Sequence, residues 1–130
     1  MNAIDQARKA YAPTQTHLRT SKSIEYQAFS DIIGRLKDAT EKDSFRDLVD
    51  ALHDNRTLWT ILAADVADPD NGLPQQLRAQ IFYLYEFTNL HSSKVLRGDA
   101  GVEALIDINT AILRGLGTSI QGRAKAQEIN

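Results

Sequence analysis

Apolar side chains recur at steps of three and four residues along almost the whole chain, and no stretch alternates β-branched with polar residues. A step of three or four places apolar side chains on one face of an α-helix, whereas a β-strand needs a step of two. The sequence therefore predicts an all-α fold. We expect a compact antiparallel bundle of four main helices, with a short N-terminal amphipathic helix laid across it.

Capping residues and helix breakers divide the chain into these elements. The N-terminal helix, residues 2–12, should end before Pro13, and a linker rich in Ser, Thr and Gln should follow as far as Ser23. Pro69, Asp70, Asn71 and Gly72 predict a turn in which Pro presets φ and Asn-Gly accepts positive φ. The four main helices are then expected from Ser21 or Ser23 to Thr40, from Asp43 or Ser44 to Pro69, from Pro74 to Arg97, and from the Gly98–Gly101 loop to Gly115.

Three of the main helices have a single apolar face, which we predict to be buried. On the first this face consists of Ile24, Ala28, Phe29, Ile32, Ile33 and Leu36. On the second it consists of Phe45, Leu48, Val49, Leu52, Trp59, Leu62, Ala63 and Val66. On the last it consists of Val102, Leu105, Ile106, Ile112, Leu113 and Leu116.

The helix from Pro74 to Arg97 differs because it is apolar nearly all round. One face carries Leu77, Ile81, Leu84, Thr88, His91 and Val95, while Phe82, Tyr83, Phe87 and Leu90 lie on its other sides. Such a helix either lies at the centre of a bundle or presents a second apolar strip to another molecule.

Composition narrows the possible functions. The 130 residues carry a net charge of −2, with no Cys, and their basic residues are scattered singly. A disulfide framework, a Cys-ligated metal and a thiol nucleophile are excluded, and direct nucleic-acid binding is not expected. We expect a cytoplasmic protein, because the N-terminus has no secretory apolar run and the chain has no membrane span.

The only spacing suggestive of metal binding is weak. Asp50 and His53 lie three residues apart on one helix, but a dinuclear site would need a second acid–His pair, and neither His17 nor His91 provides one. A solvated acidic helix face explains Asp50 and His53 better. We therefore expect no metal, no cofactor, no catalytic residues and no enzyme activity.

Two polar residues lie within apolar faces. Arg56 and Asn109 should both need partners in the core, with Glu25 as the leading acid for Arg56. We interpret them as structural contacts that set the helix register, although Arg56 could also bend outward.

Several short sequences, taken in order, resemble the FlaF family of bacterial flagellar biosynthesis regulators over about residues 3–117. They are Ala10-Tyr11, Ala51-Leu52, Asn55-Arg56-Thr57-Leu58-Trp59, Asn71-Gly72-Leu73-Pro74, Leu77-Arg78-Ala79, Leu105-Ile106-Asp107-Ile108-Asn109 and Arg114-Gly115-Leu116. The resemblance implies a single helical domain, residues 1–117, and leaves residues 118–130 as a flexible tail. It also implies a small cytoplasmic protein that is not an enzyme, regulates flagellin production after transcription and helps flagellin reach the export apparatus, often opposite the regulator FlbT.

These observations suggest a flagellin-binding hypothesis. Phe82, Tyr83, Phe87 and Leu90 would contact an amphipathic flagellin helix, with Tyr11 and the N-terminal segment acting as a lid. The alternative is that these aromatic residues only pack within the bundle. Asn55, Arg56, Trp59, Leu73, Pro74 and Asn109 are expected to form the framework. A second hypothesis is an RNA-linked regulator that acts on flagellin mRNA, alone or with FlbT.

Overall fold

The fold consists of α-helices joined by short turns. A computed structural model describes residues 16–115, and their side chains from residue 26 onward. The helices are α1 (Thr16–Glu41), α2 (Phe45–Ala67), α3 (Gln75–Leu96) and α4, which covers residues 103–115 of the described part. No strand occurs in that part, so the all-α prediction is confirmed. The predicted N-terminal helix and the residues after 115 lie outside the described residues.

Helix α1 begins earlier than predicted. It starts at Thr16, whereas the Ser, Thr and Gln content had indicated a linker up to Ser21 or Ser23. These residues lower helix propensity by only about 0.5 kcal/mol each. Once a helix is nucleated, each added residue gains a backbone hydrogen bond, so the packed half of α1 extends into its polar start.

The turns after α1 and α3 have the same hydrogen-bond pattern. After α3, Gly98 N donates to Val95 O at 3.0 Å and Asp99 N donates to Lys94 O at 2.9 Å, with Gly98 at φ +80°. This is a Schellman motif, and it satisfies the last carbonyls of the helix. After α1, Asp43 takes the equivalent position at φ 51°, and Ser44 then caps α2 by accepting from Asp47 N.

The turn between α2 and α3 works differently from our prediction. Among the described residues only Asp43 and Gly98 have positive φ, so Asn71 and Gly72 do not use it. Instead, the Asn71 side chain holds the turn: its Nδ2 donates to Asp65 O at 3.1 Å and its Oδ1 accepts from Leu73 N at 3.0 Å. Asn is thus selected here for its amide and not for its backbone freedom.

The core surrounds α2, which packs against both α1 and α3. The Phe29 ring meets the Trp59 ring edge to face at 5.8 Å between centroids. Most predicted core residues are buried, including Phe29, Ile32, Ile33, Leu36, Leu52, Trp59, Leu62, Ala63, Val66, Val102 and Leu105.

Phe45 and Val49 are exceptions, because the prediction that they are buried is wrong. Phe45 is 62% exposed and Val49 37% exposed. Both lie in the first turns of α2, just after α1 has ended at Glu41. Helical periodicity identified the correct face, but it does not show how deep in the bundle each residue lies.

We expect matched substitutions at the two left-handed positions to change stability in opposite directions. Gly98→Ala should lower the free energy of unfolding by about 1 kcal/mol, because a Cβ disfavours positive φ. Asp43→Gly should raise it by up to about 1 kcal/mol for the same reason. Urea unfolding followed by the fluorescence of Trp59, the single Trp, measures both. Equal signs for the two variants would contradict this account of the turns.

Candidate partner-binding face

A buried chain of hydrogen bonds joins α2 to α4. Trp59 Nε1 donates to Asn109 Oδ1 at 2.9 Å, and Asn109 Nδ2 donates to Asn55 Oδ1 at 2.8 Å. All three side chains are at most 1% exposed. Asn109 therefore has the partners that its place in an apolar face required, and these bonds set the register of α4 on α2.

Two polar atoms of this region lack a hydrogen bond. Asn55 Nδ2 and Thr88 Oγ1 are buried, and neither finds a partner in the described part of the chain. Each atom is removed from water without gaining a hydrogen bond in the fold, which lowers the free energy of unfolding by about 1–3 kcal/mol. Hydrogen bonding in the core is therefore incomplete at these two positions, one on α2 and one on α3.

Arg56 lies at the edge of the interface between α2 and α3, so the prediction that it lies in the core is wrong. It is half-buried, and its Nε lies 3.5 Å from Asn89 Oδ1 on α3. The side chain of Glu25, its predicted acidic partner, lies outside the described residues.

Arg78 anchors the start of α3, a role that our sequence analysis missed. Its Nε donates to Val66 O at 2.8 Å and one of its terminal nitrogens donates to Asp68 O at 3.0 Å. A guanidinium at a helix C-terminus satisfies free carbonyls and opposes the negative end of the helix dipole. Its position four residues after Pro74, beside the end of the preceding antiparallel helix, could have indicated this role.

Helix α3 is not enclosed by its neighbours. Only Thr88, Ser92 and Val95 are buried, and no residue between 75 and 87 is. The exposed fraction is 66% for Tyr83, 61% for Leu90 and 41% for Phe82. The second apolar strip predicted for this helix therefore faces outward.

The four predicted contact residues do not form one surface. Tyr83, Phe87 and Leu90 follow a four-then-three spacing, which places them on one strip directed away from buried Thr88. Phe87 is half-buried and stacks on His91, with 5.3 Å between ring centroids. We call Tyr83, Phe87 and Leu90 the outer face. Phe82 points to another side of α3 and packs against Tyr85 at 5.6 Å between centroids.

The outer face is bordered by one acidic and one basic side chain, because Glu86 lies three residues after Tyr83 and Lys94 lies four residues after Leu90, and both are exposed. The charged side chains of α3 are Arg78, Glu86 and Lys94, and the Arg78 guanidinium is bound to carbonyls of the preceding helix and turn. By contrast, α2 carries Arg46, Asp47, Asp50, Asp54, Arg56 and Asp65. The outer face therefore offers apolar contact with no excess of charge of either sign.

The remaining candidate residues are distributed as follows. Leu73 and Pro74 lie exposed in the turn before α3, and Pro74 is the N-cap residue of that helix. Tyr11 lies outside the described residues. Asp50 and His53 are both exposed, and the described side chains include no group of three or more His, Asp or Glu placed to hold a metal ion.

Together these features define an all-α bundle in which one helix is apolar on its outer as well as its inner side. A family model for the flagellar protein FlaF matches residues 7–116. The chain belongs to the FlaF family, which places it in flagellar biogenesis. No curated protein matched the chain, and no solved structure did. None of the helices within residues 16–115 has both the length and the apolar composition needed to cross a membrane.

The buried polar groups give a matched pair of stability tests. Asn109→Ala should lower the free energy of unfolding by about 3 kcal/mol, because it leaves Trp59 Nε1 and Asn55 Oδ1 unpaired in the core. Thr88→Val should leave it unchanged or raise it by about 1 kcal/mol, because Val removes a buried hydroxyl that has no partner among the described residues. Urea unfolding measures both. A large loss from Thr88→Val would contradict the assignment of that hydroxyl as unsatisfied.

Proposed function

We propose that this FlaF-family protein binds flagellin through the outer face of α3, keeps it unassembled and assists its delivery for secretion. The observation that carries the proposal is the exposure of Tyr83 and Leu90 on a neutral helix face. We infer no enzyme activity; the protein acts by binding. Flagellin binding is a more specific role than the involvement in flagellar biogenesis that family membership establishes.

The chemistry of the outer face supports a helical protein partner. An amphipathic helix places apolar residues at steps of three and four, the same spacing that Tyr83, Phe87 and Leu90 present. Large aromatic side chains at the centre of a contact contribute most of the binding energy in many protein interfaces. An amphipathic flagellin helix is therefore suited to this face.

Binding of this kind also links flagellin supply to regulation. When the outer face is occupied, flagellin is held in the cell, and a free face signals that flagellin has been exported. We propose that FlbT responds to this difference, so that the protein regulates flagellin output after transcription. The alternative of direct RNA binding has less support, because Lys94 is the one α3 cation beside the outer face, whereas phosphate binding relies on several.

We expect exposed side chains of the outer face to control affinity without controlling stability. Tyr83→Ala and Leu90→Ala should each weaken flagellin binding about tenfold, a typical loss for a contact at the centre of an interface. Melting temperatures should change little, since both side chains are largely exposed. Titration calorimetry with purified flagellin measures the affinity.

Phe45→Ala is the matched control, because Phe45 is 62% exposed but lies on another helix, at the start of α2. It should leave the affinity for flagellin unchanged. Two titrations, one with flagellin and one with flagellin mRNA, are repeated at high salt. Apolar docking of flagellin should persist there, whereas RNA binding through phosphate contacts should weaken steeply. Equal affinity of the Tyr83 and Leu90 variants and the unsubstituted chain would overturn the proposal, as would tight salt-sensitive binding of flagellin mRNA with no binding of flagellin.

A further inference from the structure

The turn between α2 and α3 contains the one Asn-Gly pair of the sequence, Asn71-Gly72. The other Asn residues are followed by Ala, Arg, Leu or Thr, or end the chain. Gly has no Cβ, so its backbone nitrogen can approach the side chain of the preceding residue more closely than that of any other residue. Asn is a chemically labile residue, and a following Gly makes loss of its side-chain amide easiest.

The two reacting groups of this pair lie in different environments. Gly72 is exposed, and its backbone nitrogen donates no hydrogen bond to any described residue. Asn71 is half-buried, and both ends of its amide are bonded. Its Nδ2 donates to Asp65 O at 3.1 Å and to Asp65 Oδ2 at 3.3 Å, and its Oδ1 accepts from Leu73 N at 3.0 Å. The attacking nitrogen is therefore free, whereas the amide that it would attack is held.

The bonds of the Asn71 amide oppose the reaction. Deamidation brings Gly72 N and Asn71 Cγ to covalent distance, so the side chain has to move. Its contacts at Nδ2 and Oδ1 resist that movement, because each buried or half-buried hydrogen bond must be broken without a replacement in the turn. In the folded protein the reaction therefore depends on local opening of the turn.

We propose that Asn71 is a deamidation site that the closed turn protects and that reacts when the start of α3 separates from α2. In the open turn Gly72 N attacks Asn71 Cγ and forms a new bond. The Cγ–Nδ2 bond breaks, and Nδ2 leaves as ammonia with the proton from Gly72 N. The succinimide ring then takes up one water and opens at either carbonyl, which gives Asp or its β-linked isomer at position 71.

Either product prevents the turn from closing as before. A carboxylate has no donor, so the bonds from position 71 to Asp65 O and Asp65 Oδ2 are lost. The new negative charge also lies beside the Asp65 carboxylate, which belongs to a residue that is only 5% exposed. The carbonyl contacts of Arg78 still fasten the start of α3, but the Asn71 contacts cannot re-form. Deamidation thus makes an opening of this turn irreversible.

Peptide mass spectrometry of the full chain tests the proposal without any partner. The chain is incubated at mildly alkaline pH, either folded in buffer or unfolded in guanidinium chloride, and the other Asn residues serve as internal standards. In the unfolded chain Asn71 should convert faster than every other Asn. Folding should slow its conversion about tenfold or more, because the amide contacts must break first. Equal rates for Asn71 in the two states, or no preference for Asn71 in the unfolded chain, would overturn the proposal.

Two pairs of variants separate the chemistry from the opening. Gly72→Ala should nearly abolish conversion of Asn71 in the unfolded chain, because the added Cβ hinders attack. The fold accepts this variant, since φ at Gly72 is not positive and the Cβ would meet no atom within 4 Å apart from its chain neighbours. Arg78→Ala should speed conversion in the folded chain by loosening the start of α3, whereas Gln76→Ala, at an exposed neighbour, should not. Undiminished conversion in Gly72→Ala, or equal rates in the two α3 variants, would contradict the proposal.

The effect of the modification on the fold has its own test. Asn71→Asp reproduces the linear product, so its urea midpoint, followed by Trp59 fluorescence, should lie below that of the unsubstituted chain. Gly72→Ala leaves the Asn71 amide in place and should keep the original midpoint. An unchanged midpoint for Asn71→Asp would show that deamidation does not disable the turn. Flagellin is absent throughout, so these results are independent of the proposed function.

Discussion

The hydrogen-bond chain from Trp59 through Asn109 to Asn55 is the constraint on which the rest of the described bundle depends. It is buried, and it joins the central helix α2 to α4 at fixed atoms. Apolar packing alone tolerates small slips between helices, whereas an amide that would lose two buried partners does not. Because these bonds fix the register of α4, they also fix which apolar residues of α4 reach the core and which remain outside.

The uneven core has a functional consequence. A helix that exposes Tyr83 and Leu90 loses the stability that burial of those side chains would provide, about 2 kcal/mol for each if buried completely. The protein keeps that surface neutral, and Arg78 holds the start of the helix in place through the carbonyls of Val66 and Asp68. The result is a preformed helix with uncovered apolar area, which reduces the ordering cost of binding a partner helix.

The sequence predicted the fold class, the boundaries of α2 and α3, and the burial of Trp59 and Asn109, because periodicity and capping are local signals. It did not predict the start of α1, since cooperative extension from a packed segment outweighs the weak preferences of Ser and Thr. Nor did it predict the exposure of Phe45 or the separation of Phe82 from Tyr83. The first depends on where the neighbouring helix ends. The second could have been obtained from the 100° step between adjacent residues, but the direction of the core had to be known first.

Amide hydrogen exchange of the full chain, with and without flagellin, tests most directly whether α3 is the binding helix. Exchange reports local opening residue by residue, so it locates a contact without any substitution. The account predicts slower exchange across residues 79–93 when flagellin is bound, and unchanged exchange across residues 43–50 at the start of α2. Binding that protects residues 43–50 and leaves α3 unchanged would contradict the account.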